Sequence, residues 1–193
     1  MKRAFIIHGW GATPKDHWFP WLAGSLKARG YRVDVPALPN PTAPVFSDWQ
    51  HTLARHIGTP QPDDLFVAHS LGGITLLHYL SQTRPKEIGG LVLVSAFAEK
   101  LPALPEIEGY SIDDYVVQAR PDLPAIRAMT ANTACIVSGN DSIVAPEASL
   151  KLANALQARV ITVPDAGHFL ASDGFDTLPQ VLQAVENFRS KGA

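Results

Sequence analysis

The sequence predicts a three-layer α/β fold: six mainly parallel strands with helices on both faces. Three observations carry that expectation. Short apolar runs, several of them β-branched or leucine-rich, alternate with longer helix-like segments along all 193 residues, as in sheets covered on both sides by helices. At roughly 150 residues per domain the length fits a single domain, here taken as residues 1–193. A hydrophobic content of 46% is enough to build a core and excludes wholesale disorder.

The strands expected in chain order are Arg3 to His8, Arg32 to Val35, Leu65 to Ala68, Gly90 to Val94, Ala134 to Ser138 and Arg159 to Val163. Helices are expected between or after them at His17 to Ala28, Ser47 to Ile57, Leu71 to Gln82, Pro146 to Leu156 and Thr177 to Ser190. Ser47 reads as an N-cap, Pro146 as a first-turn residue and Gly30 as a C-terminal stop. Four prolines between Pro36 and Pro44 forbid a regular element and make that stretch a rigid loop. Residues 97–129 interrupt the strand-helix alternation with Pro102, Pro105, Pro121 and Pro124 around a helix-like patch, Ile112 to Gln118, and read as a small cap-like insertion.

Sixteen Lys and Arg against eighteen Asp and Glu leave a formal charge of −2, which offers no field to attract nucleic acid or an anionic membrane. No apolar run approaches the roughly 18 residues of a membrane span. Lys2, Arg3 and the short apolar run after them imitate a signal peptide, but His8 and Gly9 end that run too early. A single cysteine, Cys135, cannot form an internal disulfide and fits a reducing, cytoplasmic compartment. No His, Cys or carboxylate spacing specifies a metal site, and no cofactor is called for.

The chemistry concentrates where the third strand ends in Ala68-His69-Ser70-Leu71-Gly72-Gly73 and an apolar helix follows at once. Strand, sharp turn and helix form the context of a nucleophile elbow, which exposes a serine oxygen beside a base and backbone donors. Gly72 fits the elbow pattern and Ala68 replaces its leading glycine. Such a serine requires an acid and then a histidine later in the chain. The fifth strand ends in Gly139-Asn140-Asp141 and the sixth leads to Pro164-Asp165-Ala166-Gly167-His168-Phe169. Parallel strands bring all three ends to one edge of the sheet, where ligands bind. Asp141 is favoured as the acid because a separate strand end lets it approach the far side of the imidazole; Asp165 is the competitor. Oxyanion donors are expected from the backbone N–H of Leu71 and from Trp10, in the glycine-flanked loop after the first strand. His17, Trp18, Phe97, Tyr110 and Tyr115 are candidate substrate contacts. His8 is expected to shape its loop, and His69 to be structural.

On these motifs the chain resembles the small α/β-hydrolases of the serine hydrolase family typified by retinoblastoma-binding protein 9. The likeness spans nearly the whole sequence. It implies a three-layer α/β-hydrolase-like fold with strand order 2-1-3-4-5-6, and the roles of nucleophile for Ser70, acid for Asp141 and base for His168. There is no Leu-x-Cys-x-Glu stretch around Cys135, so binding of the retinoblastoma protein is not implied.

The expected function is hydrolysis of a carboxylic ester or related acyl bond in a small molecule, through an acyl-enzyme on Ser70. Two rivals stand beside it. A catalytically silent binding protein could keep the same fold. A nucleotide-binding loop is imitated by Gly9-Trp10-Gly11, with Asp34 at nearly the distance of a ribose-binding acid, but Pro14 replaces the third glycine and Trp10 fills the turn.

Overall fold

The computed structural model describes residues 2–190. The chain runs β1 (Arg3–Ile7), α1 (Phe19–Lys27), β2 (Arg32–Asp34), α2 (Phe46–Ile57), β3 (Leu65–His69), α3 (Leu71–Thr83) and β4 (Gly90–Val94). It continues through β5 (Glu106–Ile107), β6 (Tyr110–Ser111), α4 (Ile112–Val116), α5 (Leu123–Met129), β7 (Thr133–Ser138), α6 (Pro146–Leu156), β8 (Arg159–Val163) and α7 (Pro179–Ser190).

The six-stranded sheet has the order β2-β1-β3-β4-β7-β8, and every pairing in it is parallel. Its strands are the six expected from sequence, in the expected spatial succession; their labels differ because the hairpin β5-β6 intervenes and forms its own two-stranded sheet. The period of two along each strand sorts side chains into two cores. Phe5, Ile7, Phe66, Ala68, Leu91, Leu93, Cys135 and Val137 face α2, α3 and α6 and the insertion. Ala4, Ile6, Leu65, Val67, Val92, Val94, Ala134 and Ile136 face α1 and α7. Two-sided burial explains why the central strands read as unbroken apolar runs. Among the described residues, no helix is long and apolar enough to cross a membrane.

Element ends moved where packing outweighs propensity. Helix α2 starts at Phe46, with Val45 rather than Ser47 as N-cap, because the Phe46 ring packs edge-on against His78 and Tyr115 at 5.0 and 5.1 Å. Helix α1 starts at Phe19, since His17 has a positive φ of 52° that ends any helix before it. Gly30, with φ 85°, lies two residues past the C-cap, and the Tyr31 N–H returns to the Leu26 carbonyl over it.

The insertion contains more order than its prolines imply. Glu108 and Gly109 both have positive φ, 48° and 79°, which makes a tight two-residue turn of the primed type between β5 and β6. Asp122 caps α5 by accepting from the Ala125 N–H, with Pro124 in the first turn.

Candidate active site

Ser70 stands between β3 and α3 at φ 52° and ψ −128°, a conformation that costs a non-glycine residue about 1–3 kcal/mol. The surroundings hold it there. Its N–H donates to the Val94 carbonyl at the end of β4, 3.0 Å away, and its carbonyl accepts from the Gly73 N–H at 2.8 Å. Glycine at 72 is a steric necessity, because a β-carbon there would lie 2.3 Å from the His8 carbonyl oxygen. A β-carbon on Gly9 would stand 2.9 Å from that of Ser70 and 3.5 Å from the Leu71 nitrogen, so the loop after β1 closes directly onto the elbow. Ala68 needs no special backbone: it pairs in register between Ile7 and Leu93 and buries its methyl in the core.

His168 follows β8, and its Nδ1–H donates to Asp141 Oδ2 at 2.8 Å, with both side chains buried. The same oxygen accepts from the Ser95 hydroxyl at 2.6 Å, while Oδ1 accepts the backbone N–H groups of Ile143 and Val144, each at 2.9 Å. Asp165, the competing acid, is exposed, and among the described residues no hydrogen bond reaches its carboxylate. The carboxylate three residues beyond Leu170 matters instead: Asp173 Oδ2 accepts from the His168 and Leu170 N–H groups at 2.9 and 3.0 Å. Asn140 ties the two loops together, its Oδ1 accepting from the Gly167 N–H at 2.8 Å.

His69 joins the elbow to the histidine loop, as the structural role expected of it requires. Its Nε2–H donates to the His168 carbonyl at 2.9 Å, and the two rings lie 4.8 Å apart. Burial, and then the neighbouring His168, push the His69 imidazole well below its ordinary range, so it is neutral. His8 shapes its loop as expected: Nδ1–H donates to the Gly9 carbonyl and Nε2 accepts from the Leu38 N–H, pinning the proline-rich loop. Burial also lowers the His8 imidazole. At Asp141 burial pushes the carboxyl up, but the His168 hydrogen bond and charge, Ser95 and the Val144 amide outweigh it and leave the group below its usual value.

These shifts fix the sign of the acid response. An unfolded imidazole titrates near about 6.5. Below that pH the unfolded chain binds protons that buried neutral His69 and His8 do not, so their contribution is fully present above about 6.5 and declines as pH falls, by up to about 1.4 kcal/mol per pH unit for each. The Asp141 contribution is lost only lower, as pH falls through the carboxylate range. Melting temperature should therefore drop already between about pH 6.5 and 5, and His69→Gln should shallow the slope. A melting temperature flat over that interval would contradict the assignment.

Trp10 and Leu71 flank the serine in a narrow cleft with Phe97 and residues of the insertion. The Trp10 indole donates to the Thr42 carbonyl at 2.9 Å, which anchors its loop. Of the other expected contacts, Trp18 and Tyr115 are corrected to core residues. Trp18 is fully buried against Phe19 and His69 at 4.7 and 6.0 Å. Tyr115 is 1% exposed, packs on Trp49, and spends its hydroxyl on Thr75 at 2.8 Å. His17 is half-buried behind His69, accepts the Ala171 N–H at 3.0 Å, and stands outside the cleft. Tyr110 also lies outside it, donating to the Pro44 carbonyl at 2.6 Å. Asp34, the ribose ligand of the nucleotide alternative, pairs instead with His56 at 2.8 Å.

Sequence reasoning passed over Ser95 and Asp173. Nothing in the sequence marks Ser95 except its place at the end of β4, beside the elbow; its φ of 42° is the second strained serine at this edge. A broad surface concavity around Lys2, Asp63, Glu87 and Asn132 lies at the opposite edge, among the starts of the strands.

A model of the serine hydrolase family matches residues 4–187. YdeN of Bacillus subtilis (strain 168), whose hydrolase assignment is itself provisional, is 36% identical over 191 residues, which span 98% of this chain and 97% of that protein. The crystal structure of the B. subtilis ydeN gene product has a TM-score of 0.90 and covers 98% of this chain and 100% of its own. A structure reported for LipS and LipT, metagenome-derived lipolytic enzymes, has a TM-score of 0.74 at 14% identity, covering 98% of this chain and 94% of that one. Est1E from Butyrivibrio proteoclasticus, with ferulic acid bound, has a TM-score of 0.73 at 16% identity, covering 99% and 89%. At such identities the last two likenesses concern the fold alone.

Proposed function

The chain belongs to the serine hydrolase family, and from that premise we propose that it cleaves a carboxylic ester or related acyl bond of a small molecule through an acyl-enzyme on Ser70. The observation that carries the proposal is the buried His168–Asp141 hydrogen bond at the sheet edge that also presents Ser70. With its proton on Nδ1, neutral His168 has Nε2 as its basic nitrogen. Nε2 takes the Ser70 proton as the serine oxygen attacks the acyl carbon, and Asp141 stabilises the resulting imidazolium. The N–H groups of Trp10 and Leu71 hold the oxyanion; each such donor is worth roughly 3–4 kcal/mol in other enzymes. His168 then protonates the leaving group, and a water activated by the same nitrogen releases the acid.

Within the family, the His8-Gly9 loop, the Gly139-Asn140-Asp141 loop and the Gly167-His168-Phe169 loop support placement with the group typified by retinoblastoma-binding protein 9. The insertion at 97–129 acts as a small cap over the acyl side of the site.

The test is covalent. A small fluorophosphonate should label Ser70 and no other serine, as located by mass spectrometry, and the labelled protein and Ser70→Ala should both lose hydrolysis of p-nitrophenyl acetate. Labelling that survives Ser70→Ala, or its absence in folded protein, would remove the catalytic reading in favour of a silent binding protein.

A further inference from the structure

The cleft against Ser70 is specific enough in size and polarity to name its ligand. We infer that the site selects a short, electrically neutral acyl group, and that Leu104 and Ile107 of the insertion set its length. The inference rests on the serine hydrolase reading above.

Size comes first. The cleft is tight: its ≈ 10 Å³ is room for about one water, far below the roughly 300–1,000 Å³ of sites for drug-sized ligands. An acyl chain therefore enters only by pushing against the side chains of its wall, and each added methylene meets more resistance.

The wall that limits this space is held from several sides. Leu101, Leu104, Ile107 and Ile112 reach the cleft from the insertion and meet Ile143 and Val144 of the acid loop. Ile107 pairs with Tyr110 across the hairpin, and the Tyr110 hydroxyl fastens that hairpin to the Pro44 carbonyl. A second tie runs from the Asp113 N–H to the Pro105 carbonyl at 3.2 Å. Tyr110 thus acts on the substrate only through the wall it fixes; it is a positioning residue.

Polarity comes second. Apart from Ser70, every side chain lining the cleft is apolar. Asp141, the carboxylate next to it, already accepts from His168, Ser95, Ile143 and Val144. An α-ammonium group would be stripped of water with no carboxylate to receive it, and a second carboxylate would find no cation. Aminoacyl and dicarboxylic acyl groups are excluded by the same surface that accepts a plain hydrocarbon.

The experiment compares kcat/KM on the p-nitrophenyl esters of acetate, butyrate, octanoate and alanine, for wild type, Leu104→Ala and Ile107→Ala, alongside fluorophosphonate labelling of Ser70. Acetate or butyrate should exceed both octanoate and the alanyl ester by about 100-fold or more, since each methylene that misfits an apolar pocket changes selectivity by about 10-fold or more. Either alanine variant should raise the octanoate-to-butyrate ratio by about 10-fold. The ratio is insensitive to a general loss of folded protein, which lowers both rates together. A preference for octanoate or the alanyl ester, or a ratio unmoved in both variants, overturns the inference. Ser70 labelled without turnover of any short ester overturns it while the hydrolase reading stands; neither labelling nor turnover defeats the hydrolase reading itself.

Discussion

Replacing Asp141 by asparagine is expected to lower kcat on an activated ester by on the order of 10⁴ with little change in melting temperature. The geometry says which way the new amide points. Oδ1 accepts two backbone N–H groups, from Ile143 and Val144, so the amide oxygen stays there and the NH₂ replaces Oδ2. That NH₂ then faces His168 Nδ1, which must accept rather than donate, and the imidazole proton moves to Nε2. The nitrogen that should take the Ser70 proton already carries one. The Ser95 hydroxyl loses its acceptor in the same step but can rotate to accept. Asp165→Asn, at an exposed carboxylate without a hydrogen-bond partner among the described residues, should leave kcat within a few-fold of wild type, about the range of a surface substitution. If Asp165→Asn is the dead variant and Asp141→Asn stays active, the acid is Asp165 and the mechanism must be redrawn.

The second large effect concerns the fold. Gly72→Ala is expected to destabilise the protein by about 3 kcal/mol, the upper part of the overpacking range. The new methyl would lie 2.3 Å from the His8 oxygen and 2.8 Å from the Ile7 oxygen. Neither can retreat: Ile7 is paired with Ala68 in the sheet, and the His8 ring is held by Leu38 and packed against Trp49 at 5.8 Å. Gly24→Ala is the control. Position 24 lies inside α1 with nothing within 4 Å of a β-carbon, so alanine should stabilise by about 0.5–1 kcal/mol through its better helix propensity. Urea denaturation of both variants decides, and equal midpoints would refute the steric account.

What the sequence disclosed follows from what local patterns encode. The parallel strands were legible because two-sided burial writes itself as continuous apolar runs, and the placement of Ser70, Asp141 and His168 at one sheet edge because each follows a strand and has a glycine beside it. Trp18 and Tyr115 misled, since a large aromatic ring fills a core or lines a pocket with the same composition, and only position separates the two. The β5-β6 hairpin escaped because two-residue strands are too short to alternate; Glu108-Gly109 was its one local sign. Ser95 was invisible because its partner lies 46 residues away.

The all-parallel sheet has a consequence for how the enzyme comes into being. No two neighbouring strands of such a sheet can be joined by a hairpin, so the elbow's supports arrive from both directions along the chain: Gly9 from before it and Val94 from after it. During synthesis Ser70 leaves the ribosome well before Val94, and Asp141 and His168 follow later still. The serine is therefore an ordinary alcohol for most of the polypeptide's emergence. The reactivity proposed for it belongs to the folded chain, and a nascent or partly unfolded molecule holds a serine with nothing to arm it.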